Sequence, residues 1–482
     1  MRSKSAVMAI YIFASLFLSS FNSKAVNKEM PITTSSKEAL ALFVDGRNQL
    51  EINQGMKASN LFKKAISLDP EFALAYAYLA MTDATLYTEN YSKAMSLMNK
   101  ISKGEQVFLQ MWDNQRKANG TEMKNNADSL MKLFPEDKRI PFFLGGSIYY
   151  ADDVKSIFYL NKCINMDTSF APVYRVIGGK YRELRNFPEA EKNLLKYKAL
   201  LQAEPDPYSQ LSTFYREEGK FDKALEMASK ISEVDPGNSN GFLMMGNCYI
   251  FTNEYEKARE NFMKRFDQVS DAPRKLGALY NYSLSYVFEG KPDEALKSFD
   301  NYIDLAGKNK RFNAIINATR EQAWVSIMAK DMNKAKSYLD KAEGLTKTSD
   351  LDDVIRKNYE ETNSSWRAYY LINSGDYKAS EKKLESYKAF IALRNMPSEM
   401  ERFGAMFGYL RYMEGKYDEA IELLSKAGNN PWNWYYMGAS YEAKKDKGKA
   451  KENYEKVSTY YLVNMYEASV RNLAAERLKN LK

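Results

Sequence analysis

The sequence contains no histidine among its 482 residues. Histidine is the commonest general base and a frequent metal ligand, so its absence excludes His-dependent catalytic triads and most zinc sites. A phosphate-binding loop is missing as well, because the Gly-Lys pair at 307–308 has Tyr302 in the first-glycine position and Asn309 in place of Ser or Thr. We therefore predict a protein that is not an enzyme and that uses neither a cofactor nor a metal.

Cysteine is scarce, and the two residues present, Cys163 and Cys248, lie in predicted helices far apart along the chain. Packed helices are about 10 Å apart, so the two sulfurs should be separated by tens of ångströms. A disulfide needs Cα atoms within about 7 Å. Both cysteines are predicted to be small, mostly buried apolar residues.

Concentrated charge of either sign is also missing. The formal net charge is +8, but Lys and Glu alternate along the predicted helices, as expected for solvated faces. No basic cluster with interleaved aromatic residues occurs, so we expect no nucleic-acid partner. The acidic stretch at 350–353 contains three aspartates in a polar loop, and we interpret it as a helix N-cap rather than a metal site.

Long apolar runs are absent except at the N-terminus, so we predict no membrane span in the mature chain. Arg2 and Lys4 precede an apolar run at 6–21, and a small-x-small sequence ends at Ala25. This pattern is typical of a secretory signal peptide, residues 1–25, which predicts a periplasmic or secreted protein. A retained membrane anchor is the alternative. The polar residues 26–37 that follow are predicted to be a flexible leader.

A repeated pattern fills the middle of the chain, and each position in its second copy lies 34 residues after the equivalent position in the first. The first copy contains Tyr174, Ile177, Gly178, Tyr181, Phe187, Ala190, Leu194 and Tyr197, and the second contains Tyr208, Leu211, Ser212, Tyr215, Phe221, Ala224, Ala228 and Ile231. Apolar residues three and four apart form one face of a helix. A period of about 34 residues predicts a helix–turn–helix array, in which the small residues let paired helices approach closely.

These two units resemble the tetratricopeptide repeat family. The resemblance implies an all-α fold, a right-handed α-solenoid superhelix of antiparallel helix pairs, with repeats over residues 38–457 and one capping helix over 458–482. Residues 304–315 and 343–356 are polar and are predicted to be irregular connections. The aromatic-to-helix ending resembles the tails of repeat proteins exported by some bacteria; its residues are Tyr460, Asn464, Tyr466, Arg471 and Ala474.

In this family, set positions on the first helix of each pair line a concave groove. The resemblance places polar residues in the middle of the groove, namely Arg175, Arg182, Arg216, Asn240 and Asn247. It places aromatic residues in the C-terminal half, namely Tyr280, Trp324, Tyr369, Tyr409, Tyr412, Trp432 and Tyr435. Arg and Asn can bind a carboxylate or a backbone, and Tyr and Trp can anchor a peptide or a sugar ring. Alternatively, these aromatic rings pack in the core, or the closing helix folds back and covers them.

The pattern as a whole favours a scaffold that binds a protein or peptide outside the cytoplasm. The alternative is a soluble accessory component of an extracytoplasmic carbohydrate- or nutrient-handling assembly, with the aromatic half of the groove contacting sugar.

Overall fold

The computed structural model describes residues 29–82, 87–117, 119–394 and 397–481. These residues form helices and no strand. The helices are α1 Lys37–Glu51, α2 Gly55–Leu68, α3 Ala73–Thr82, α4 Tyr87–Ser96, α5 Lys103–Arg116, α6 Gly120–Leu133, α7 Arg139–Phe143, α8 Asp153–Met166, α9 Ala171–Glu183, α10 Phe187–Leu200, α11 Asp206–Glu217, α12 Phe221–Val234, α13 Asn240–Phe251, α14 Tyr255–Gln268, α15 Ala272–Glu289, α16 Pro292–Lys308, α17 Phe312–Met328, α18 Met332–Thr348, α19 Asp353–Asn373, α20 Tyr377–Ala392, α21 Pro397–Met413, α22 Tyr417–Lys426, α23 Pro431–Ala443, α24 Lys447–Ser458 and α25 Met465–Asn480.

Consecutive helices from α1 to α24 pack as hairpins, odd-numbered helix with the even-numbered helix that follows it. Neighbouring hairpins also contact each other, so the apolar core is a row of clusters along the array rather than one ball. A short 3-10 turn follows α4, and α7 continues into a π-helical turn at Leu144–Ile148. The predicted all-α solenoid of helix pairs is confirmed. Across the described residues, none of the helices is long and apolar enough to cross a bilayer.

Small residues bring the two helices of a hairpin together, as the sequence predicts. A Cβ atom on Gly178 of α9 would lie 2.9 Å from the Leu194 side chain of α10. In the next hairpin the Ser212 hydroxyl donates a 2.7 Å hydrogen bond to the main-chain oxygen of Ala224. Larger side chains at these positions would therefore separate the helices and disturb the close packing of the core.

Aspartate and asparagine caps start many of the helices. In α19, the Asp352 carboxylate accepts hydrogen bonds from the backbone N–H groups of Val354 and Ile355, at 2.9 and 3.4 Å. The interpretation of the acidic stretch as a helix N-cap is confirmed. Side chains cap the second helix of several hairpins in the same way: Asn119, Asp152, Asn186, Asp331, Asp376 and Asp446.

The two predicted irregular connections are wrong over most of their length. Helix α16 extends to Lys308 and α17 begins at Phe312, so only three residues of 304–315 are non-helical. Ala306 and Ile316, both fully buried, continue the apolar faces of these helices. The helices here are longer than those of a standard 34-residue unit, which made their ends look like loop sequence.

The same holds for residues 343–356, where α18 extends to Thr348 and α19 begins at Asp353. Thr346 is fully buried and its hydroxyl donates a hydrogen bond to the main-chain oxygen of Ala342, so this polar residue belongs to the helix interior. The polar composition of the stretch therefore reflects internal hydrogen bonds as well as exposed positions.

The start of the described chain differs from the predicted flexible leader, because residues 29–36 are bonded along one edge of the array. Acidic side chains at or beside the ends of helices in the first hairpins accept hydrogen bonds from the backbone N–H groups of these residues. The pairs are Ser35 with Asp69 at 2.8 Å, Thr33 with Glu105 at 2.8 Å, and Met30 with Asp137 at 3.0 Å. The predicted signal peptide, residues 1–25, lies outside the described residues.

The end of the chain also differs from the prediction, since 458–482 is not one helix. Helix α24 ends at Ser458 and α25 begins at Met465. Residues 459–464 between them are non-helical, and we call them the C-terminal strap. Asn464 caps α25 by accepting a 2.7 Å hydrogen bond from the N–H of Glu467. The strap lets α25 return along the array and pack against α15 and α23 as well as α24.

Hairpins distant in sequence also touch. The Asn53 side chain in the turn after α1 donates a 3.0 Å hydrogen bond to Asp206 at the start of α11. Arg116 at the end of α5 forms a 3.2 Å ion pair with Asp352. The array is thus curved enough that hairpins far apart in sequence contact each other.

Cys163 and Cys248 are free and buried, as predicted. Burial raises the pKa of the Cys163 thiol to about 12 and that of Cys248 to about 11. Because both thiols stay protonated at neutral pH, neither is a reactive nucleophile.

Candidate functional site

The predicted groove residues lie on the odd-numbered helices, which face the interior of the curled array. They fall into two groups with different surroundings. The aromatic group lies on α15, α17, α19, α21 and α23, and the polar group lies on α9, α11 and α13. Both groups contact the returning C-terminal segment.

The aromatic group forms one interlocked cluster rather than a ladder of separate rings. The Trp432 ring centroid lies 4.9 Å from Trp324 and 5.1 Å from Tyr409, and Tyr369 lies 5.1 Å from Trp324. Side chains from adjacent helices extend toward each other, so the rings are much closer together than the helix axes, which pack about 10 Å apart. Trp324 is only 1% exposed, so its ring is part of the core.

Helix α25 covers this cluster. The Trp324 indole Nε1–H donates a 2.7 Å hydrogen bond to the Ser469 hydroxyl of α25. The Tyr466 ring of α25 lies 6.0 Å from Trp324 and 6.3 Å from Trp432. Of the alternatives that the sequence left open, the structure thus has the one in which the closing helix folds back and covers the aromatic rings.

The prediction that these rings line an open groove is therefore wrong. Trp324, Tyr369, Tyr409, Trp432 and Tyr435 are all buried. Tyr280 and Tyr412 are half-buried: the Tyr280 hydroxyl donates to Glu321 at 3.3 Å, and the Tyr412 ring contacts Tyr436 at 5.1 Å. Burial raises the pKa of Glu321 to about 7.

Of the polar group, Arg175 and Arg182 are paired with acids of the same array. The Arg182 Nε lies 3.2 Å from Glu217, and the Arg175 Nε lies 4.0 Å from Asp206. These pairs join hairpin α9–α10 to hairpin α11–α12. Both arginines therefore link neighbouring repeats, and each guanidinium already lies beside a carboxylate of this chain.

The two asparagines of the polar group are held within α13 and its neighbours. Asn240 donates a 3.0 Å hydrogen bond to the Ser209 hydroxyl and accepts one of 2.8 Å from Arg265. It lines a polar cavity of about 460 Å³ where the first hairpin meets α11 and α13. Asn247 is buried, and its side-chain oxygen has no hydrogen-bond partner among the described residues.

Arg216 was predicted to face a ligand in the groove, and in the structure it contacts the main chain of this protein. Its Nε–H donates a 3.0 Å hydrogen bond to the main-chain oxygen of Tyr461, in the C-terminal strap. The Arg216 side chain is almost fully buried, and burial lowers the pKa of its guanidinium. The backbone that it binds belongs to this chain itself.

Three successive carbonyl groups of the strap accept hydrogen bonds from arginines. Arg185, in the turn after α9, donates to Thr459 at 3.3 Å, and Arg471 of α25 donates to Tyr460 at 3.1 Å. Arg216 provides the third bond. Hydrogen bonds from charged donors are stronger than neutral ones, so these contacts hold the strap in one register.

The Tyr461 ring of the strap sits in an aromatic notch. Its centroid lies 5.1 Å from Phe221 of α12 and 5.5 Å from Phe251 of α13, both in edge-to-face geometry. A Cβ atom on Gly219 would lie 3.1 Å from the Tyr461 ring, and Gly219 has φ +77°, a conformation that favours glycine. The turn between α11 and α12 therefore provides the floor on which this ring rests.

Several of these residues were missed in the sequence: Arg185, Gly219 as a contact, Phe221, Phe251 and Arg471. Arg185, Gly219, Phe221 and Phe251 have the positions of ordinary turn or core residues of their own repeats, and Arg471 was named only as part of the C-terminal tail. One signal was available, since an asparagine followed three residues later by glutamate, as in Asn464 and Glu467, is a helix start. It would have separated Tyr460 and Tyr461 from the last helix.

A buried carboxyl group lies beside the strap. Glu467 of α25 is fully buried, with one oxygen 2.9 Å from Arg471 and the other without a hydrogen-bond partner. Burial outweighs the arginine and raises the pKa of Glu467 to about 8. In the part of the chain that the structure describes, no group of three or more acidic or cysteine residues could hold a metal ion.

No protein-family model matches the chain. Among solved structures, yeast Tom70 has 15% identity and a TM-score of 0.40, with 92% of this chain and 95% of that chain covered. YrrB, a TPR protein with an unusual peptide-binding site, has 18% identity and a TM-score of 0.26, with 37% and 91% covered. PilF of Pseudomonas aeruginosa has 16% identity and a TM-score of 0.30, with 46% and 92% covered.

All three TM-scores lie below 0.5, so the assignment of the fold comes from the chain itself. Its helix pairs, its 34-residue offset and its small residues at the helix contacts are those that the resemblance implied. The chain is therefore an all-α array of paired helices, which is the architecture that the sequence predicted.

Proposed function

We propose that this protein is a non-enzymatic scaffold that acts outside the cytoplasm and holds an extended segment of a partner protein in its groove. The observation that carries this proposal is the hydrogen bond from Arg216 to the main-chain oxygen of Tyr461. Arg216 thus already binds a non-helical segment through its backbone. A surface that binds one such segment has the donors needed to bind another.

The site combines donors for main-chain carbonyl groups with a notch for one aromatic side chain, and this combination supports a peptide ligand. Arg185 and Arg216 bind main-chain carbonyls, which every peptide has, and therefore supply affinity without regard to sequence. The notch between Phe221 and Phe251 accepts one aromatic ring and therefore supplies selectivity. Recognition of extended peptides commonly combines main-chain hydrogen bonds with side-chain pockets in this way.

The proposed location rests on the N-terminal sequence, which has the charge, apolar run and cleavage pattern of a secretory signal. The mature protein in the extracytoplasmic fraction should begin at Val26. N-terminal sequencing of that fraction tests this, and an intact Met1 or a protein found only in the cytosol contradicts it.

The alternative, an accessory role in carbohydrate or nutrient handling, depends on aromatic rings that can stack on sugar. Trp324 and Trp432 are the strongest candidates for such stacking, and both are buried beneath α25. Because the arrangement favours a peptide over a sugar, we expect no binding on a glycan array. Sugar binding that disappears on substitution of Trp432 would favour the alternative.

A site-directed photo-cross-linking experiment tests the scaffold role. A photoreactive phenylalanine analogue replaces Phe221 in one variant, and Phe158 in the matched control. Phe158 is an exposed phenylalanine of α8, 61% exposed and outside the contacts of the strap. After irradiation of cells, we expect the Phe221 variant to cross-link a discrete partner segment that the control does not.

The identity of the cross-linked peptide decides the outcome. A partner segment joined at position 221, lost when Arg216 is replaced by Ala, supports a peptide-binding groove. If position 221 cross-links only to residues 459–461 of the same chain under all growth conditions, the groove never opens to a partner and the proposal fails.

A further inference from the structure

The C-terminal strap contacts the array in the way that a bound peptide would. It has no helical structure, and its carbonyl groups are bound by Arg185 and Arg216 from two different hairpins. The hairpins that bind it lie more than 240 residues away from it in sequence. Its first residues, Thr459 and Tyr460, still bond to the last turn of α24, and the rest of the strap crosses hairpins that lie far away in sequence.

The geometry points to an exchangeable occupant: we propose that the strap and α25 form a built-in competitor for the groove, and that the partner supplies an extended segment with two adjacent aromatic residues. This inference rests on the proposed function. It adds the chemistry of the partner segment and the way in which access to the groove is controlled.

The notch fixes the first requirement on the partner. Tyr461 packs edge-to-face against Phe221 and Phe251, and Gly219 leaves no space for a larger residue beneath it. A planar ring fits this position, whereas a branched aliphatic side chain lacks the aromatic edge contacts. The residue in the notch should therefore be aromatic.

The neighbouring ring fixes the second requirement. The Tyr460 ring centroid lies 5.4 Å from Trp434 and 5.4 Å from the Arg185 guanidinium. An aromatic residue here gains both an edge-to-face contact and a cation–π contact. Two consecutive aromatic residues, the first against Trp434 and Arg185 and the second against Phe221 and Phe251, are thus the pattern that the groove accepts.

When α25 is packed on the array, one unfavourable feature of its own favours exchange. Glu467 is fully buried on α25 with one oxygen that has no hydrogen-bond partner. An unpaired buried carboxyl oxygen opposes docking, because it loses its hydration without replacement. When α25 leaves, Glu467 regains water, and the rings beneath α25, Trp324 among them, become exposed.

A labelled synthetic peptide tests exchange in the full-length protein. The peptide has the sequence of residues 458–481 with a fluorophore at its N-terminus, and its matched control carries Tyr460→Ala and Tyr461→Ala. A loosened variant carries Tyr461→Ala and Val470→Asp, which weaken its own strap and α25. Its groove residues Phe221 and Arg216 are unchanged.

We expect the peptide to bind the loosened variant at least about tenfold more tightly than the wild type, measured by fluorescence polarisation, because an occupied groove reduces the competent fraction. Arg216→Ala in the loosened background should reduce this affinity about tenfold or more, and the control peptide should bind neither protein. Equal binding of both peptides, or no effect of Arg216→Ala, overturns the proposal.

A second measurement covers the case in which the loosened variant does not fold, which circular dichroism would reveal. Wild-type protein uniformly labelled with ¹⁵N is exposed to excess unlabelled peptide, and hydrogen exchange is followed at its own residues 459–480. Faster exchange with the peptide than with the control peptide supports exchange of the strap. Unchanged exchange overturns it.

The outcome is distinguishable from failure of the proposed function. If the Phe221 cross-linker captures a partner but the peptide does not bind, the scaffold role stands and the competitor is wrong. If the peptide binds but no partner is captured, the strap is exchangeable and the proposed scaffold role is wrong. Wild-type dimers in which the strap is exchanged between copies would make the occupant a second copy and overturn the assignment to a partner.

Discussion

Replacing Trp324 by Ala should release α25 from the array. The indole is 1% exposed, and its ring centroid lies within about 6 Å of the rings of Tyr369, Trp432 and Tyr466. Truncation of a buried Trp to Ala typically costs about 3–5 kcal/mol. Loss of the hydrogen bond to Ser469 adds about 1 kcal/mol.

The loss of stability should be confined to particular helices, because each repeat in an array is stabilised mainly by its contacts with neighbouring elements. Trp324 belongs to α17 and contacts α19, α23 and α25. Helix α25 is the terminal element and is joined to the rest by the strap, so it should open first. A loss of about 3 kcal/mol at this contact would increase its open population by about a hundredfold or more.

Hydrogen exchange with mass spectrometry measures this opening peptide by peptide. In the Trp324→Ala variant, exchange over residues 465–480 should accelerate by about two orders of magnitude, while residues 37–68 remain unchanged. The matched control is Trp112→Ala, which removes a buried Trp packed on Tyr87 and Tyr91 in the N-terminal core. The control should destabilise α5 and leave α25 protected.

The result that would refute this reasoning is specific. If Trp324→Ala accelerates exchange in α17 but leaves α25 as protected as in the wild type, then α25 does not depend on the aromatic cluster. The proposal that Trp324 holds α25 on the array would then be wrong.

Three further predictions follow from the packing. Ala224→Phe should lower the free energy of unfolding by about 1–3 kcal/mol through overpacking, and an unchanged melting curve would show that the helix register is wrong. The double substitution Tyr409→Ala and Tyr435→Ala should cost several kcal/mol, because both rings are buried, and a fully stable double variant would place them at the surface. For Glu467, whose pKa is raised by burial from 4.5 to about 8, stability is fully present below pH 4.5 and is lost as the pH rises toward 8. Glu467→Gln should therefore be more stable than the wild type above pH 8, with a difference in melting temperature that shrinks toward pH 5.

Local features of the fold could be predicted from the sequence because they depend on short-range spacing. The two units at 171–236 have the predicted helix faces, and Gly178 and Ser212 have the predicted close contacts. The cap at Asp352 was also predicted, since a cap is decided by residues two and three positions away. These features need no knowledge of the rest of the chain.

The candidate site could not be predicted because its decisive contacts are long-range. Trp324 meets Ser469 across 145 residues, and Arg216 meets Tyr461 across 245. No periodicity links such pairs. The repeat pattern places Trp324 and Arg216 on the first helices of their hairpins, α17 and α11, but it carries no information on what contacts them there.

The two ends of the described chain are bound by complementary chemistry, and the difference between them favours exchange at the C-terminus. Residues 29–36 present backbone N–H groups to carboxylates, and Glu105 among these is fully buried and also closes the capping box at Ser102. Its removal would leave a helix cap as well as the segment unsatisfied. The strap presents carbonyl groups to arginines, and its Thr459 contact with Arg185 is exposed. Water can replace that bond at little cost, and opening relieves the unpaired oxygen of Glu467. The N-terminal segment is thus built into the array, whereas the C-terminal one is held by contacts that a competing peptide can supply equally well.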